Sequence, residues 1–451
     1  MLASILGLDN AEADEALQFD VSVTADAKDG VAIAIATEFV SILGRTVRAV
    51  TLNGAYETAR IEVVIGNSSA QTSIEKIYVG VSREQAVVGD HQDHMACAAI
   101  PAIFEIIVAC YTCAAVMQRV FKDRLPFHVP SPLVIPFAQF GVDFDALNAE
   151  IDLGRTYLAG AGAIGNGFLW AARHLNIRGQ LDIADDDRVS SGNLNRQIWF
   201  TRDDIDKLKA ERLALHAQPY FPSMKLEPRT QRLQELSERS DGPWLKRIIV
   251  AVDSRRARRK IQNEFPGEVF DASTTDIREI VVHYHKQPTQ TACLSCIYEP
   301  DQEEMAREAH IADHLGVSVV EVRAERISDD AADRIVKRYS KLEKSLIVGS
   351  SYDTLFKQLC GQGELKTLEG RRIIAPFAFV SVLAGTLLAL EVVRRLGTDH
   401  RSKPHNYWRV SPWHPPLLRK QILRPRQSDC EFCGNPTLVR VNCALWNPDS
   451  R

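Results

Sequence analysis

The chain has 451 residues, of which 45% are hydrophobic and 25% are charged, and its formal net charge is −4 at pH 7. This length exceeds that of one ordinary domain, so we expect two or three domains, each with its own core. The pI near 6.3 gives no electrostatic footprint for nucleic acid, and no run of Lys and Arg indicates a membrane surface. We therefore expect neither a nucleic-acid nor a membrane partner.

The N-terminal segment carries acidic residues where a signal peptide needs basic ones, and it lacks a sustained apolar run. The chain also contains nine cysteines. Without a secretory context, such a count favours reduced thiols that bind metals or take part in catalysis over disulfides. We therefore expect a cytoplasmic protein.

The first part of the chain has the pattern of an α/β domain without a phosphate-binding loop. Strand-like RIEVVIG and KIYVGVS are followed by a long apolar helix over residues 99–120. That helix approaches the ~20 residues needed to span a bilayer, but Glu105 interrupts it, so a buried core helix is the preferred interpretation. A segment rich in Pro and Phe over residues 125–144 indicates a boundary, and we predict one domain over residues 1–145.

From Arg155 the pattern becomes strand, glycine turn, helix and strand, in TYLAGAGAIGNGFLWAARHL and then QLDIADDDRV. This is the order of a parallel βαβ unit. Two more apolar strands follow at residues 247–254 and 268–274. The sequence therefore predicts an α/β fold with a Rossmann-like, doubly wound sheet.

Residues 299–370 are polar and helical in pattern, which predicts a helical insertion outside the sheet. An apolar helix at residues 376–396 then returns the chain to the core. It resembles the helix at residues 99–121 in length and character, from which we infer two related halves, the first without a nucleotide loop. Two unrelated core helices remain the alternative.

The first candidate site is the glycine turn after the apolar strand. Gly160, Gly162 and Gly165 fit the pattern GxGxxG, in which the absence of side chains lets backbone N–H groups and a helix N-terminus approach phosphate oxygens. Asp185 ends the second strand, where a carboxylate holds ribose hydroxyls in dinucleotide-binding folds. This pattern alone also fits a nicotinamide-dependent oxidoreductase.

The residues after Asp185 favour transfer of AMP to a carboxylate instead. That reaction needs cations and amide donors around the triphosphate, because charge develops on the bridging oxygen as pyrophosphate leaves. Asn193, Arg196, Gln197 and Lys209 supply such groups.

Four sequence features, taken as a set, resemble the ubiquitin-activating superfamily. They are GAGAIG, DIADDDRVSSGNLNRQ, the lysine thirteen residues after the arginine, and AVDSRRARR at residues 251–259. The simplest bacterial members are the ThiF/MoeB-type adenylating proteins. The resemblance implies ATP and Mg²⁺ as cofactors, an active adenylation domain formed by residues 146–298 and 371–451, and a degenerate, inactive adenylation-like domain over residues 1–145.

The resemblance also implies a role for each matching position. The implied ATP-binding residues are Gly160, Gly162, Gly165, Asp185, Asp187, Asn193, Arg196, Gln197 and Lys209. Asp253 would hold Mg²⁺, and it would act in catalysis with Arg196 and Lys209. Two positions depart from the family: Ala163 stands where glycine is usual, and Ser254 follows Asp253 where asparagine is usual. Both departures leave the carboxylate intact.

The second candidate site consists of two CxxC pairs, Cys293 with Cys296 and Cys430 with Cys433. Four thiolates can close a tetrahedral structural Zn²⁺ site with no open catalytic position. In the superfamily, this zinc ties the C-terminal segment to the end of the Rossmann unit. Two unrelated redox-active or buried pairs are the alternative.

A third candidate is Cys360 in the predicted insertion. In superfamily members that pass the activated protein onward, a cysteine between the two CxxC pairs attacks the acyl-adenylate and forms a thioester. Cys360 is the only further cysteine there. A thiolate is the nucleophile required, and the neighbouring Lys357 or a helix end would lower its pKa. An unreactive loop cysteine is the alternative.

The predicted function is ATP-dependent adenylation of the C-terminal carboxylate of a ubiquitin-like protein, then thioester transfer to Cys360 and onward to a conjugating enzyme. The chain resembles the activating enzymes of bacterial ubiquitin-like conjugation operons linked to phage defence. Alternatives are a sulfur-carrier activator, a peptide-adenylating enzyme, and a scaffold with a degenerate nucleotide site. The sequence leaves open the carrier protein, a possible homodimer, and whether the N-terminal half or a second subunit adds an arginine to the ATP site.

Overall fold

The computed structural model describes residues 12, 15–92, 96–125, 128–239, 242–275, 277–300, 302–361, 377–397, 404–417 and 420–447. Two compact units divide the chain. The larger comprises Asp14–Tyr298 and Pro376–Arg451, and the smaller comprises Met1–Ala13 and Glu299–Ala375. Each unit has a hydrophobic core of its own.

The N-terminal part of the larger unit is built on a six-stranded sheet. Its elements are β1 (Asp20–Ala25), α1 (Gly30–Leu43), β2 (Ala49–Leu52), β3 (Ala59–Ile65), β4 (Glu75–Val81), β5 (Gln85–Gly89), α2 (Ala102–Phe121) and β6 (Leu133–Pro136). The strand order is β2-β1-β3-β4-β5-β6, and the first four of these strands are parallel. Asp29 caps α1 by accepting a hydrogen bond from the Ala32 amide at 3.0 Å.

Helix α2 is long and apolar enough, by length and composition, to cross a membrane, and it is the one such helix among the described residues. In this protein, 78% of its apolar window is buried. The helix packs against α1 and begins after Pro101, whose missing N–H suits a helix start. Its burial is that of a core helix.

The second sheet of the larger unit begins after the boundary segment. Its first elements are β7 (Ile151–Ala159), α3 (Ala163–Ala172), β8 (Ile177–Ala184), α4 (Lys209–Ala217), β9 (Met224–Arg229), β10 (Arg247–Val250), α5 (Arg255–Gln262), β11 (Glu268–Thr275), β12 (Glu279–Lys286) and α6 (Leu294–Ile297). Helices connect β7 to β8, β8 to β9 and β10 to β11, as crossovers between parallel strands usually do.

The smaller unit is helical over its described residues. Its helices are α7 (Gln302–Leu315), α8 (Val319–Ala324), α9 (Asp329–Arg338), α10 (Lys344–Ile347) and α11 (Tyr352–Gly361). Ser318 and Ser328 cap α8 and α9 through their hydroxyl oxygens. The apolar stripes of these helices bury Ile311, Leu315 and Phe356 in one cluster.

The chain returns to the second sheet through α12 (Ala378–Leu396), β13 (Tyr407–Val410), β14 (Gln421–Ile422) and α13 (Pro436–Trp446). The strand order is β14-β13-β12-β11-β10-β7-β8-β9. Strands β11, β10, β7, β8 and β9 are parallel, and β12 to β14 continue the sheet antiparallel. The α/β, Rossmann-like fold class predicted from the sequence is confirmed.

The order of the parallel strands creates a topological switch point beside β7. From β7 the chain moves outward through β8 to β9, and it then crosses to β10 and β11 on the other side. In doubly wound sheets the crevice at the carboxyl ends of the strands, where the order reverses, is the place where ligands bind. This end of β7 carries the glycine turn.

Helices α3 and α12 meet backbone to backbone through two glycines. A Cβ atom on Gly385 would lie 2.2 Å from the Gly167 carbonyl carbon and the Phe168 nitrogen. A Cβ atom on Gly167 would lie 2.6 Å from the Ser381 carbonyl oxygen. Only glycine allows this close approach.

We expect Gly385→Ala to lower the free energy of unfolding by about 1–3 kcal/mol, because the added methyl group forces two packed backbones apart. In an unpacked helix the same change stabilises by about 1 kcal/mol, so the sign of the effect is diagnostic. The midpoint of chemical denaturation measures it.

Gly30→Ala is the matched control. Beyond the neighbouring residues and the backbone of its own helix, no described atom lies within 4 Å of the position that a Cβ atom would take at Gly30. We expect this variant to be as stable as the unaltered protein or slightly more stable. Equal stability of Gly385→Ala and Gly30→Ala would contradict the close helix contact.

Candidate functional site

The glycine turn connects β7 to α3 at the switch point of the second sheet. Gly160 has a φ of +100°, and a side chain there would place its Cβ atom 2.9 Å from the Ala251 carbonyl oxygen. A Cβ atom on Gly165 would lie 2.2 Å from the Gly160 oxygen. Around Gly162, by contrast, no described atom beyond its chain neighbours lies within 4 Å of the Cβ position. The turn therefore leaves open space before the N-terminus of α3, where backbone N–H groups favour a phosphate.

Asn166, in the first turns of α3, connects the glycine turn to a second loop. Its Nδ2 atom donates to the carbonyl oxygens of Ala161 (2.9 Å) and Gly162 (3.0 Å). Its Oδ1 atom accepts from the Trp199 amide at 3.2 Å, and its carbonyl oxygen accepts from the Trp199 indole at 3.1 Å. Asn166 is not among the residues predicted from the sequence. Its one sequence signal is that it is a polar residue within an apolar helix.

Asp185 follows the last residue of β8 and holds the glycine turn from the other side. Its Oδ2 atom accepts from the Ala161 amide at 2.7 Å, and its Oδ1 atom accepts from the Asp187 amide at 2.9 Å. Burial raises the pKa of Asp185 to about 6, although the charge of Lys209 partly lowers it. The carboxylate is thus placed next to the open turn.

Lys209 is the first residue of α4, and its buried ammonium group faces several carboxylates. Its Nζ atom lies 2.8 Å from the Asp187 Oδ2 atom. Burial works to lower the pKa of Lys209, but the charges of Asp187, Asp185 and Asp253 outweigh it and raise the pKa above its usual value. Lys209 is therefore a fixed positive charge in the site.

Asp253 lies just beyond β10, which ends at Val250, and its carboxylate is exposed. Its charge acts on the buried Lys209 and on the partly buried Arg196. The next residue, Ser254, caps α5 by accepting from the Ala257 amide at 3.3 Å. The serine that departs from the family pattern therefore has a structural role here.

Arg196 lies on the loop that follows β8. Its Nη1 atom donates to the Gly192 carbonyl oxygen at 2.5 Å and to the Asn195 side chain at 3.0 Å. Burial lowers the pKa of Arg196, and the charge of Asp253 partly opposes this. The loop is stiffened by Asn193, whose Oδ1 atom accepts from the Ser190 amide at 3.0 Å. The same loop thus carries the guanidinium group of Arg196 and the side-chain amide of Asn193, and hydrogen bonds within the loop hold it in this conformation.

Gln197 is 3% exposed, and its Oε1 atom has no hydrogen-bond partner among the described residues. Buried side-chain oxygens in folded proteins are nearly always paired. The unpaired oxygen of Gln197 fits a donor supplied by a ligand.

Asp185, Asp186 and Asp187 offer three carboxylate oxygens within 4.8 Å of one another. Two of these carboxylates already have cationic partners, because Lys209 pairs with Asp187 and Arg232 lies 3.2 Å from Asp186. We therefore assign no metal ion to this trio. The metal position inferred from the sequence is at Asp253.

The four cysteines of the CxxC pairs form a separate cluster. The Cys293 Sγ atom lies 3.7 Å from that of Cys296, 3.9 Å from that of Cys430 and 3.3 Å from that of Cys433. Four thiolates around a tetrahedral Zn²⁺ with bonds of about 2.3 Å stand about 3.8 Å apart. The Cys433 amide also donates to the Cys430 sulfur at 3.4 Å. The cluster is compatible with zinc.

The side chain of Cys360 lies outside the described residues, although its backbone belongs to α11. Residues 362–370 of the predicted insertion also lie outside them. Cys110 and Cys113 are fully buried in α2, where burial raises the pKa of both thiols. Neither has the exposure of a reactive cysteine.

The structure brings most of the candidate residues to the carboxyl ends of β7, β8 and β10. These residues are Gly160, Gly162, Gly165, Asp185, Asp187, Asn193, Arg196, Gln197, Lys209 and Asp253. An open turn, two cations and a carboxylate in one place suit a bound nucleoside triphosphate with a divalent cation. The individual roles stay predictions.

Comparison with known proteins gives matches over most of the chain. The model of the ThiF family matches residues 135–432, and the model of the E1 N-terminal domain matches residues 1–143. A search of solved structures aligns "Crystal structure of E. coli MccB + SeMet MccA" over 80% of this chain and 98% of that one, at 15% identity and a TM-score of 0.38. We draw no conclusion from that structural similarity.

Three curated relatives show similarity over parts of the chain. "Uncharacterized protein y4jF" of Sinorhizobium fredii is 28% identical over 56% of this chain and 51% of its own length. The NEDD8-activating enzyme E1 catalytic subunit of Dictyostelium discoideum is 32% identical over 36% of this chain and 35% of its own length. The sulfur carrier protein ThiS adenylyltransferase of Escherichia coli is 27% identical over 36% of this chain and 58% of its own length.

The chain thus spans about half of the length of the first of these relatives, and about a third and somewhat over half of the other two. The family match is broader, because residues 135–432 make up more than half of the chain and include both the glycine turn and the cysteine cluster. It confirms the superfamily inferred from the sequence motifs. The chain belongs to the ThiF family.

Proposed function

We propose that this chain uses ATP to adenylate the C-terminal carboxylate of a ubiquitin-like protein. The observation that carries the proposal is the convergence of an open glycine turn with Lys209, Arg196 and Asp253 at the switch point of the second sheet. Membership of the ThiF family and similarity to a NEDD8-activating subunit support it.

In the proposed first step, a carboxylate oxygen of the substrate attacks the α-phosphorus of ATP. The bond between this phosphorus and the bridging oxygen breaks, and pyrophosphate leaves with the electron pair. Lys209 and Arg196 stabilise the charge that develops, because cations that are already positioned at the site act strongly on it. Mg²⁺ held by Asp253 would supply further neutralising charge on the phosphates.

In the proposed second step, the thiolate of Cys360 attacks the acyl carbon of the adenylate. A carbon–sulfur bond forms, and AMP leaves with the electron pair of the acyl–oxygen bond. The resulting thioester then passes to the cysteine of a conjugating enzyme. The position of Cys360 in the sequence, between the two CxxC pairs, supports this step.

Activation of a sulfur-carrier protein is the second candidate, favoured by the similarity to a ThiS adenylyltransferase. It shares the adenylation step but needs no thioester at Cys360. The two candidates therefore differ in the fate of the acyl-adenylate.

The proposal includes an organisation for the whole chain. Residues 1–145 form a degenerate adenylation domain, residues 146–298 and 371–451 form the active one, and residues 299–370 are an insertion that carries Cys360. The protein acts in the cytoplasm in a conjugation pathway of antiviral defence, without nucleic-acid or membrane partners, and it can form a homodimer.

We expect Asp253→Asn to reduce ATP–pyrophosphate exchange by roughly 10²–10³-fold, because it removes the charge that holds the cation. Exchange is measured with candidate ubiquitin-like proteins whose chains end in glycine. Asp203→Asn, which alters an exposed aspartate, is the control and should exchange at the unaltered rate. Equal rates of exchange for Asp253→Asn and the unaltered protein would show that the Asp253 carboxylate is not needed for adenylation.

We expect the carrier to form an adduct with this chain that survives SDS and is released by added thiol, because a thioester has that chemistry. Cys360→Ala should abolish the adduct and leave pyrophosphate exchange unchanged. Cys443→Ala is the control and should keep the adduct. Exchange without an adduct in the unaltered protein would favour the sulfur-carrier candidate, and an adduct in Cys360→Ala would exclude Cys360.

We expect the purified protein to contain one zinc ion per chain, measured by elemental mass spectrometry. Cys430→Ser should lose it and lower the midpoint of thermal unfolding, because a structural zinc site contributes directly to folding. Cys443→Ser, outside the cluster, should keep both. Zinc-free protein that unfolds at the same midpoint as zinc-containing protein would contradict a structural metal.

A further inference from the structure

Arg45 lies in the N-terminal half, two residues after the end of α1. The helix ends in a tight turn, in which the Gly44 amide donates to the Val40 carbonyl oxygen at 3.0 Å. A Cβ atom on Gly44 would lie 2.7 Å from that oxygen. The turn therefore fixes the direction in which the chain leaves the helix, and with it the start of the Arg45 side chain.

The Arg45 guanidinium donates to three backbone carbonyl groups of the second half. Its Nη1 atom lies 2.6 Å from the Phe200 oxygen and 3.4 Å from the Leu194 oxygen. Its Nη2 atom lies 2.6 Å from the Ile198 oxygen. These three carbonyl groups flank Arg196 and Gln197, so one side chain of the N-terminal half holds both ends of that segment.

Arg45 is held by carbonyl groups in place of a carboxylate. Among the described residues no acidic group forms an ion pair with it, and burial lowers the pKa of its guanidinium. An arginine remains charged in proteins, and its planar fork of donors suits several acceptors at once. Arg45 can therefore make all of its contacts only when the loop backbone places these carbonyl groups around the guanidinium.

Hydrogen bonds connect the loop that Arg45 contacts to the glycine turn. Trp199 lies between Ile198 and Phe200, and its amide and indole both donate to Asn166. Asn166 in turn donates to the carbonyl oxygens of Ala161 and Gly162. A chain of hydrogen bonds thus runs from Arg45 to the turn before α3.

Helix α1 is itself anchored to the second half. The Glu38 Oε2 atom accepts from the Trp170 indole at 2.7 Å, and Glu38 Oε1 pairs with Arg173. Trp170 and Arg173 lie in and just after α3, the helix that begins at the glycine turn. Helix α1, which precedes Arg45, is therefore fixed to α3, the helix that begins at the glycine turn.

We propose that Arg45 is a positioning residue of the nucleotide site, through which the N-terminal half holds the loop of residues 194–200 in the conformation that presents Arg196 and Gln197 to ATP. The inference rests on the proposed function, because it assigns ATP to this site. It gives the N-terminal half a part in nucleotide binding although that half has no glycine-rich loop of its own.

Arg45→Ala should weaken binding of Mg²⁺ with a non-hydrolysable ATP analogue, AMPCPP, by about tenfold in calorimetry, because the loop must then be ordered on binding. Amide hydrogen exchange of residues 193–200, without nucleotide, should become faster in this variant. Exchange of residues 30–43 should stay unchanged. Millimolar guanidinium ion should restore part of the affinity for AMPCPP, since it can donate to the same carbonyl groups of Leu194, Ile198 and Phe200 that Arg45 contacts.

Arg48→Ala is the matched control. Arg48 is exposed three residues further on and pairs with Asp20 at 2.7 Å, so its removal should change neither affinity nor exchange of residues 193–200. Arg45→Lys, which keeps the charge but not the fork of donors, provides a milder variant if Arg45→Ala fails to fold. It should bind AMPCPP with intermediate affinity.

Unchanged affinity and unchanged exchange in Arg45→Ala and Arg45→Lys would overturn the inference. Faster exchange spread over the whole larger unit, without rescue by guanidinium, would also overturn it, because Arg45 would then be a general support of the fold. If the unaltered protein bound no AMPCPP, the proposed function would fail as well. If it bound AMPCPP and the Arg45 variants bound it equally, only the inference would fail.

Discussion

The backbone contact between α3 and α12 is the constraint on which the geometry of the second half depends. Gly167 and Gly385 remove the side chains that would otherwise separate the two helices, so α12 fixes where α3 lies over the sheet. The N-terminus of α3 lies at the open side of the glycine turn. The packing of α12 against α3 therefore also fixes the position of this turn. Because α12 also packs against α2, the same helix joins the N-terminal half to the second half.

The candidate site concentrates charge that would be costly if it stood alone. Lys209 is buried, yet it stays charged because Asp187, Asp185 and Asp253 surround it. Charges taken out of water are tolerated when partners and hydrogen bonds compensate them. Gln197 is the exception, since its side-chain oxygen is buried without a described partner. The ion pair of Lys209 with Asp187 holds the ammonium group in place, and a group that is already held costs less to order on binding.

The two halves of the larger unit contribute in different ways. The second half carries the glycine turn, the acidic residues and the cysteine cluster, whereas the N-terminal half contributes supports. Glu38 fixes α1 to the end of α3, and Arg45 holds the backbone of the loop beside Arg196. A half that lacks a phosphate-binding turn can in this way affect the site through a few directed hydrogen bonds.

The sequence alone was enough to predict the fold class, the glycine turn and the pairing of the CxxC motifs. These depend on local sterics, on hydrophobic period and on ligand spacing, which neighbouring residues encode. The two long buried helices were also predicted to within about three residues at each end. They are expected at residues 99–120 and 376–396 and observed at Ala102–Phe121 and Ala378–Leu396. Three features could be seen only in the folded chain. They are the contact of Gly167 with Gly385, the hydrogen bonds of Asn166 and the contacts of Arg45 with the loop. Arg45 and Phe200 are 155 residues apart in the chain. A contact over that separation leaves no periodic or local pattern, because it arises only when distant parts of the chain pack together.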